Sequence, residues 1–294
     1  VGWRISVQGA VYVSLLVVAS TAASPVEVDA ARATRALDVL ATIPIERERG
    51  AGYDRSLFPH WLDVDGDGCN AREQVLKRDS VTLPQVDPVD CFVYAGDWVS
   101  PYDGMRIDDR SEVDIDHVVA LKEAWDSGAW AWTVAMRTAF ANDTSDRRSL
   151  VAASASSNRS KSDKDPTNWL PPRKAAVCGY LADWVAIKAR WGLSMDPSEH
   201  GRVRNLLSRS CPGQRVAAWP ALPAVARSST TSPSTNATSQ PAPASTVAAT
   251  VYPGAWCTPE GARGTAASGV SYVCAKTNAS GVPYADSRAR WRRG

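Results

Sequence analysis

The spacing of apolar and polar positions changes several times along this 294-residue chain. A largely apolar run, residues 10–19, follows Arg4 and leads into Thr21-Ala22-Ala23. Over residues 27–49, Val28, Ala31, Leu37, Leu40 and Ile43 fall at helical spacing until Pro44 interrupts, which predicts helix. Residues 71–78 predict another helix. Short strands are expected at 81–83, 91–94, 97–99 and 105–107, with a turn at Pro101-Tyr102-Asp103-Gly104. In Asp114-Ile115-Asp116-His117-Val118-Val119-Ala120-Leu121 the acids alternate with Ile115, the period of a strand. A helical insertion over 121–140 carries Trp125, Trp130 and Trp132, and a second strand is expected at 150–153. Strong helices close the region. One covers 174–191, with Val177, Leu181, Trp184, Val185 and Lys188 at helical spacing, and the other covers 197–209. Asp196, Pro197 and Glu199 supply the second with a cap, a first-turn proline and an N3 glutamate. Runs of strands followed by helices make the fold class α+β.

The ends of the chain differ from its middle. Residues 1–23 read as a signal peptide, with a charged start, an apolar stretch too short to span a membrane and a small-residue cleavage site. Residues 24–215 form the main domain. Ser, Thr, Ala and Pro dominate residues 216–250, an extended linker. Residues 251–294 form a small basic module. Export makes the cysteines a disulfide framework, and nearest-neighbour pairing gives Cys69–Cys91, Cys178–Cys211 and Cys257–Cys274. With no Cys-x-x-Cys, a structural zinc site is not expected. The expected location is extracellular, with cell-wall association through the basic module as an option. No integral membrane segment and a monomeric state are expected.

Charge qualifies this picture. The net charge is only +2, so no global basic field announces nucleic acid. Residues 24–215 hold 25 Lys and Arg against 29 Asp and Glu, while residues 251–294 hold 6 against 2. An acidic domain repels phosphate unless its carboxylates hold a cation or lie away from the groove. The module's positive charge offers a contact for DNA or for an acidic cell-wall polymer, or serves only to solubilise. Most of the 12 tryptophans are expected in the core.

Only three histidines are present, and His117 alone stands on a strand with carboxylates close by, at Asp114 and Asp116. His60 between Pro59 and Trp61 reads as packing, and His200 as a solvated helix residue. On a regular strand Asp116 and His117 point to opposite faces, so a turn or bulge must begin there if they serve one site. A second polar stretch follows: Asn158-Arg159-Ser160-Lys161-Ser162-Asp163-Lys164-Asp165. This pair of motifs resembles the HNH, or ββα-metal, nucleases. It is similar to the HNH domain of CRISPR effector nucleases. It more closely resembles small secreted bacterial (actinobacterial-type) HNH-endonuclease-like proteins, which share the text DHVVALKEAWDSGA, FAND, SASSNRSKSDKDP and NWLPP. The resemblance covers roughly residues 50 to 211.

The resemblance implies a ββα-metal (HNH) core with surrounding helices. It implies a secreted endonuclease that hydrolyses the phosphodiester bonds of DNA, and of RNA as a second substrate, with low sequence specificity. His117 is then the general base, and Asp116 and Asn158 are the metal ligands. Phosphodiester cleavage needs an activated water and a hard cation beside the leaving oxygen, most plausibly Mg²⁺, with Mn²⁺ as the substitute. Arg159 and Lys161 are expected at the phosphate, or alternatively in solvent. Gly68-Cys69-Asn70-Ala71-Arg72 matches a step in the secreted nucleases and offers Arg72 as a phosphate ligand; the alternative is a surface arginine paired with Glu73 or Asp79. The usual middle Asn of these proteins is missing, and Asn142 or Asp146 is expected in its place.

Two other functions stay open. Asp63, Asp65 and Asp67 match the first half of a calcium EF-hand loop, but Asn70 and Gln74 depart from the second half. The chain is then a calcium-binding secreted structural protein. The substituted middle Asn supports instead a catalytically inactive cell-envelope or nucleic-acid binding protein.

Overall fold

A computed structural model describes residues 1–2, 33–223, 257, 259–265, 271–277, 281, 283 and 289–293. The signal-peptide expectation over residues 1–23 and most of the expected linker lie outside the described residues. The fold is α+β, with small sheets packed among helices.

Short elements come first. Strand β1 (Thr34–Arg35) leads into α1 (Ala36–Leu40), and α2 (Ala71–Asp79) follows a long loop. Strands β2 (Gln85–Val86) and β3 (Val93–Ala95) pair, as do β4 (Trp98–Val99) and β5 (Arg106–Ile107). The helix expected over 27–49 is, among the described residues, only α1, because the chain folds back on Val39 and Leu40 through Thr42 and Ile43 before Pro44.

The central unit is a hairpin and a helix. Strand β6 (Val113–His117) pairs antiparallel with β7 (Leu150–Ser154), with Asp116 opposite Val151 and His117 opposite Leu150. Helix α5 (Ala155–Lys161) starts directly from β7. Ser154 makes that corner: its hydroxyl accepts the Ser157 N–H at 3.2 Å, an N-cap that satisfies an otherwise orphaned amide. Between the two strands, α3 (Leu121–Asp126) and α4 (Val134–Ala141) replace the single helical insertion expected there. Gly128 breaks the run at φ 129°, a conformation costly for other residues.

Two apolar clusters hold this unit. Beneath the hairpin, Val113, Ile115, Leu150 and Ala152 pack with Val75, Leu76 and Trp98. Alternation along β6 sends those apolar residues to α2 and leaves Asp114 and Asp116 facing α5. The larger cluster lies among α1, α3, α4, α6 (Val177–Trp191) and α7 (Pro197–Arg209) and includes Phe140, Leu181, Trp184 and Trp191. Gly192, at φ 64°, ends α6 in the left-handed conformation. Asp196 caps α7 through the Ser198 and Glu199 N–H groups. Glu199 turns inward, where it pairs with Lys188.

Disulfides join Cys69 to Cys91, Cys178 to Cys211 and Cys257 to Cys274. The main domain's contacts run past the expected boundary at residues 215 and 216. Strand β8 (Arg215–Val216) pairs with β1, and the Pro220 carbonyl accepts a hydrogen bond from Arg190. In the terminal module, β10 (Ser271–Ala275) lies between β9 (Arg263–Thr265) and β11 (Arg290–Arg293).

Candidate active site

Strand β6 ends at His117, and this is what brings neighbours of opposite facing to one place. Asp116 and His117 both line a cleft of about 490 Å³, together with Asn158 and Arg159 from α5. Tyr53, Arg55 and Lys122 line it as well.

The His117 ring is buried between Trp61, whose ring centre lies 5.4 Å away, and Phe140, at 6.5 Å. Its Nε2 lies 2.9 Å from the Ala141 carbonyl oxygen. A carbonyl only accepts, so Nε2 carries the hydrogen and donates it, which leaves Nδ1 as the basic nitrogen of the neutral ring. Burial pushes the His117 pKa down to about 3, and the charges of His60, Arg55 and Lys161 act in the same direction. The ring is therefore neutral at physiological pH.

Asn142 holds the loop that covers this ring. Its Oδ1 accepts the Leu62 N–H at 2.8 Å and its Nδ2 donates to the Pro59 carbonyl at 2.8 Å. Between them Trp61 takes φ 60°, a strained value for a bulky residue, held in place by the surrounding contacts. Asp146 instead braces its own turn by accepting from the Arg148 backbone and guanidinium.

Asp116 is buried and accepts one hydrogen bond on each oxygen. Tyr102 donates to its Oδ2 at 2.5 Å and Lys161 to its Oδ1 at 3.0 Å. Burial raises its carboxyl above the ordinary range, while Lys161 pulls it down. The Lys161 ammonium also donates to the His117 carbonyl at 2.9 Å and has no exposed surface. Lys161 is thus not placed at a substrate phosphate; one helical turn after Asn158 it points inward, and the ion pair is the reason. Arg72 does not join the cleft either. Helix α2 lies under the hairpin, and Arg72 donates to the Val113 carbonyl at 3.1 Å.

Asn158 donates through Nδ2 to Asp114 at 3.1 Å, and its Oδ1 has no hydrogen-bond partner among the described residues. Arg159 is exposed, with Nε 3.7 Å from Asp114. A carboxylate and an open amide oxygen are hard oxygen donors that fit a small divalent cation, and the neutral imidazole beside them is left free to act as a base. Asp116 uses only part of its lone-pair capacity on Tyr102 and Lys161.

The Asp63, Asp65 and Asp67 carboxylates approach within 4.8 Å of one another. The loop meets its own needs. The Gly66 and Gly68 amides donate to Asp63, and Gln74, where an EF-hand has its bidentate Glu, donates to both oxygens of Asp65. Neither of the other two histidines lines the cleft: His60 packs on Trp61 with Nδ1 2.7 Å from the Phe58 carbonyl, and His200 lies on α7. Sequence reasoning passed over Tyr102, Arg55 and the Ala141 carbonyl. Nothing in the local sequence around Tyr53 and Arg55 signals that these two residues line the cleft with His117.

Residues 73–200 match the family described as GmrSD restriction endonucleases, C-terminal domain. An uncharacterized secreted protein of Arthroderma benhamiae is 38% identical over 201 residues, which is 68% of this chain and 96% of the relative. This relative is fungal, where the resemblance in sequence pointed to bacterial proteins. No solved structure matches the chain. Among the described residues no helix is long and apolar enough to cross a membrane. The protein is secreted, as this relative is, and its disulfides fit an oxidising extracellular setting. The chain belongs to the family of this secreted protein, with a core similar to the C-terminal domain of the GmrSD restriction endonucleases.

Proposed function

We propose that the chain is a secreted, metal-dependent endonuclease of the HNH, ββα-metal, kind. It hydrolyses phosphodiester bonds of DNA, and of RNA as a second substrate, with low sequence specificity. The observation that carries this reading is the His117 ring: neutral, clamped between Trp61 and Phe140, tied by Nε2 to Ala141 and presented to a cleft shared with Asn158 and Arg159.

His117 Nδ1 takes the proton of the attacking water as general base. Asp116 and Asn158 would hold the divalent ion, Mg²⁺ or Mn²⁺. When bound, that ion supplies Lewis-acid stabilisation of the phosphate and the leaving oxygen. Lys161 and Tyr102 fix the Asp116 carboxylate in place, and Arg159 meets the phosphate from the exposed side of α5. Lys161 thus acts through Asp116 rather than on the substrate. Arg72 supports the start of β6 from beneath. Among the described residues no helix is set to read a groove of duplex DNA, and this supports low specificity.

One observation favours a second reading. Asp116 already has its charge balanced inside the protein, by Lys161. A nucleic-acid or cell-envelope binding protein with an inactive site would keep that pair as structure, and would use the basic C-terminal module to hold DNA or wall polymer. Incubating mature, oxidised protein with supercoiled plasmid in Mg²⁺, Mn²⁺ or EDTA separates the two. The nuclease nicks the plasmid with metal and not with EDTA; a binding protein shifts it without nicking.

A further inference from the structure

We infer that Arg55 is a substrate-binding residue that grips a phosphate of the nucleic acid beside the one attacked, an inference that rests on the nuclease reading above. The other cations around the cleft already have carboxylate partners. Lys122 pairs with Asp126, Arg159 stands 3.7 Å from Asp114, and Lys161 is 3.0 Å from Asp116. Arg55 is exposed and lines the cleft, and among the described residues its guanidinium makes no hydrogen bond, ion pair or ring contact. Its backbone is nevertheless fixed. Arg55 opens a 3-10 turn (Arg55–Leu57) whose cap, Asp54, accepts the Ser56 N–H at 2.8 Å. On either side of the turn, the Tyr53 ring packs against Phe58 and Trp125.

An anchored backbone with an uncommitted guanidinium is what a phosphate contact requires. The planar fork matches two phosphate oxygens, and no internal ion pair has to break when the phosphate arrives. The carboxylates on the same cleft do not cancel this charge. Asp116 is balanced by Lys161, and Asp163 accepts from the Ser162 hydroxyl at 3.3 Å without pairing to Arg55. Arg55 and Arg159 line the same cleft as His117, so a strand that enters it meets both guanidiniums.

The test is fluorescence anisotropy with labelled single- and double-stranded oligonucleotides in EDTA. The full chain carries His117→Ala throughout, so that no cleavage occurs. Arg55→Gln is expected to weaken binding on the order of tenfold and to lower the slope of log affinity against log salt by about one. Arg55→Lys recovers part of the loss, since the charge stays and the fork does not. The melting temperature of Arg55→Gln stays unchanged, because no internal contact is lost. Binding within twofold of the parent, with the same salt slope, overturns the inference. So does an equal loss in Arg202→Gln, an exposed charge on α7, which would mean that any surface cation serves. If the unmutated chain fails to cleave but Arg55→Gln still loses binding, the nuclease reading fails and the phosphate contact stands. If the chain binds no oligonucleotide, both fail.

Discussion

Lys161 and Asp116 form an ion pair of 3.0 Å in which the two side chains are 0% and 6% exposed. The pair locks α5 to β6 at the level of His117, because the same ammonium reaches the His117 carbonyl. Removing one partner strands a buried charge, at a cost of about 3–5 kcal/mol. Lys161→Met is therefore expected to lose about that much stability in urea titrations near neutral pH. The sign with pH follows from Asp116, whose carboxyl burial already raises and which loses the opposing Lys161 in the variant. A raised folded pKa favours the folded state at low pH, so the deficit shrinks as pH falls and is largest in alkali. Adding Asp116→Asn recovers part of the stability; a double variant as unstable as the single one contradicts the pair's role.

Asn142 ties two stretches of loop over the His117 ring. Asn142→Ala leaves the Leu62 N–H and the Pro59 carbonyl without their partner, which costs about 2–3 kcal/mol in total. The loop then frees Trp61 from its strained conformation, and the His117 ring loses one face of its clamp. The expected outcome is a lower kcat with KM little changed, measured on a plasmid or oligonucleotide substrate below the variant's melting temperature. An unchanged kcat would show that the clamp is not needed to orient the ring.

A second buried charge cluster joins the helices behind the site. Lys188 donates to Glu123 at 2.6 Å, to Glu199 at 2.7 Å and to Ser127 at 2.9 Å, all buried. It connects α3, whose Lys122 lines the cleft, to α6 and α7. Lys188→Met is expected to cost about 3–5 kcal/mol. Lys188→Met combined with Glu123→Gln and Glu199→Gln is expected to be more stable than Lys188→Met alone. Thermal denaturation of the three-site variant beside the single one checks this.

Asp183, on α6, makes no hydrogen bond or ion pair among the described residues, and burial pushes its pKa up to about 7 with Arg148 opposing. Its unfolded value is near 3.8. The group therefore favours the folded state below that value, and this contribution is lost as pH rises through 7. Asp183→Asn is expected to change little at pH ~4 and to stabilise by about 2 kcal/mol at pH ~8. Equal stability of the two proteins at the higher pH would contradict the burial of this charge.

Local periodicity was the part of this fold that sequence carried well. Strand β6, strand β7 and the helices α2, α6 and α7 fall within a few residues of where alternation, helical spacing and caps put them. Features that depend on contacts between distant segments were not legible. A lysine in a polar run reads as solvated, yet Lys161 is buried because a strand far upstream brings Asp116 to it. Tyr102 reads as a turn residue, and only the tertiary fold aims its hydroxyl at that same carboxylate. Arg72 looked like an anion ligand near a helix start, but α2 docks under the hairpin and turns it toward Val113. Arg55 carries no local sign of a role, since nothing in the adjacent sequence says that it lines one cleft with Asn158 and Arg159.

In the proposed mechanism His117 activates water for phosphodiester hydrolysis. The most direct measurement is the rate of supercoiled plasmid nicking by the mature, oxidised chain and by His117→Ala, side by side in Mg²⁺, Mn²⁺ and EDTA. Metal-dependent nicking by the parent chain is expected to fall by about 10²–10⁴-fold in His117→Ala. Nicking that survives undiminished in His117→Ala, or no nicking by the parent chain with either metal, would contradict the mechanism.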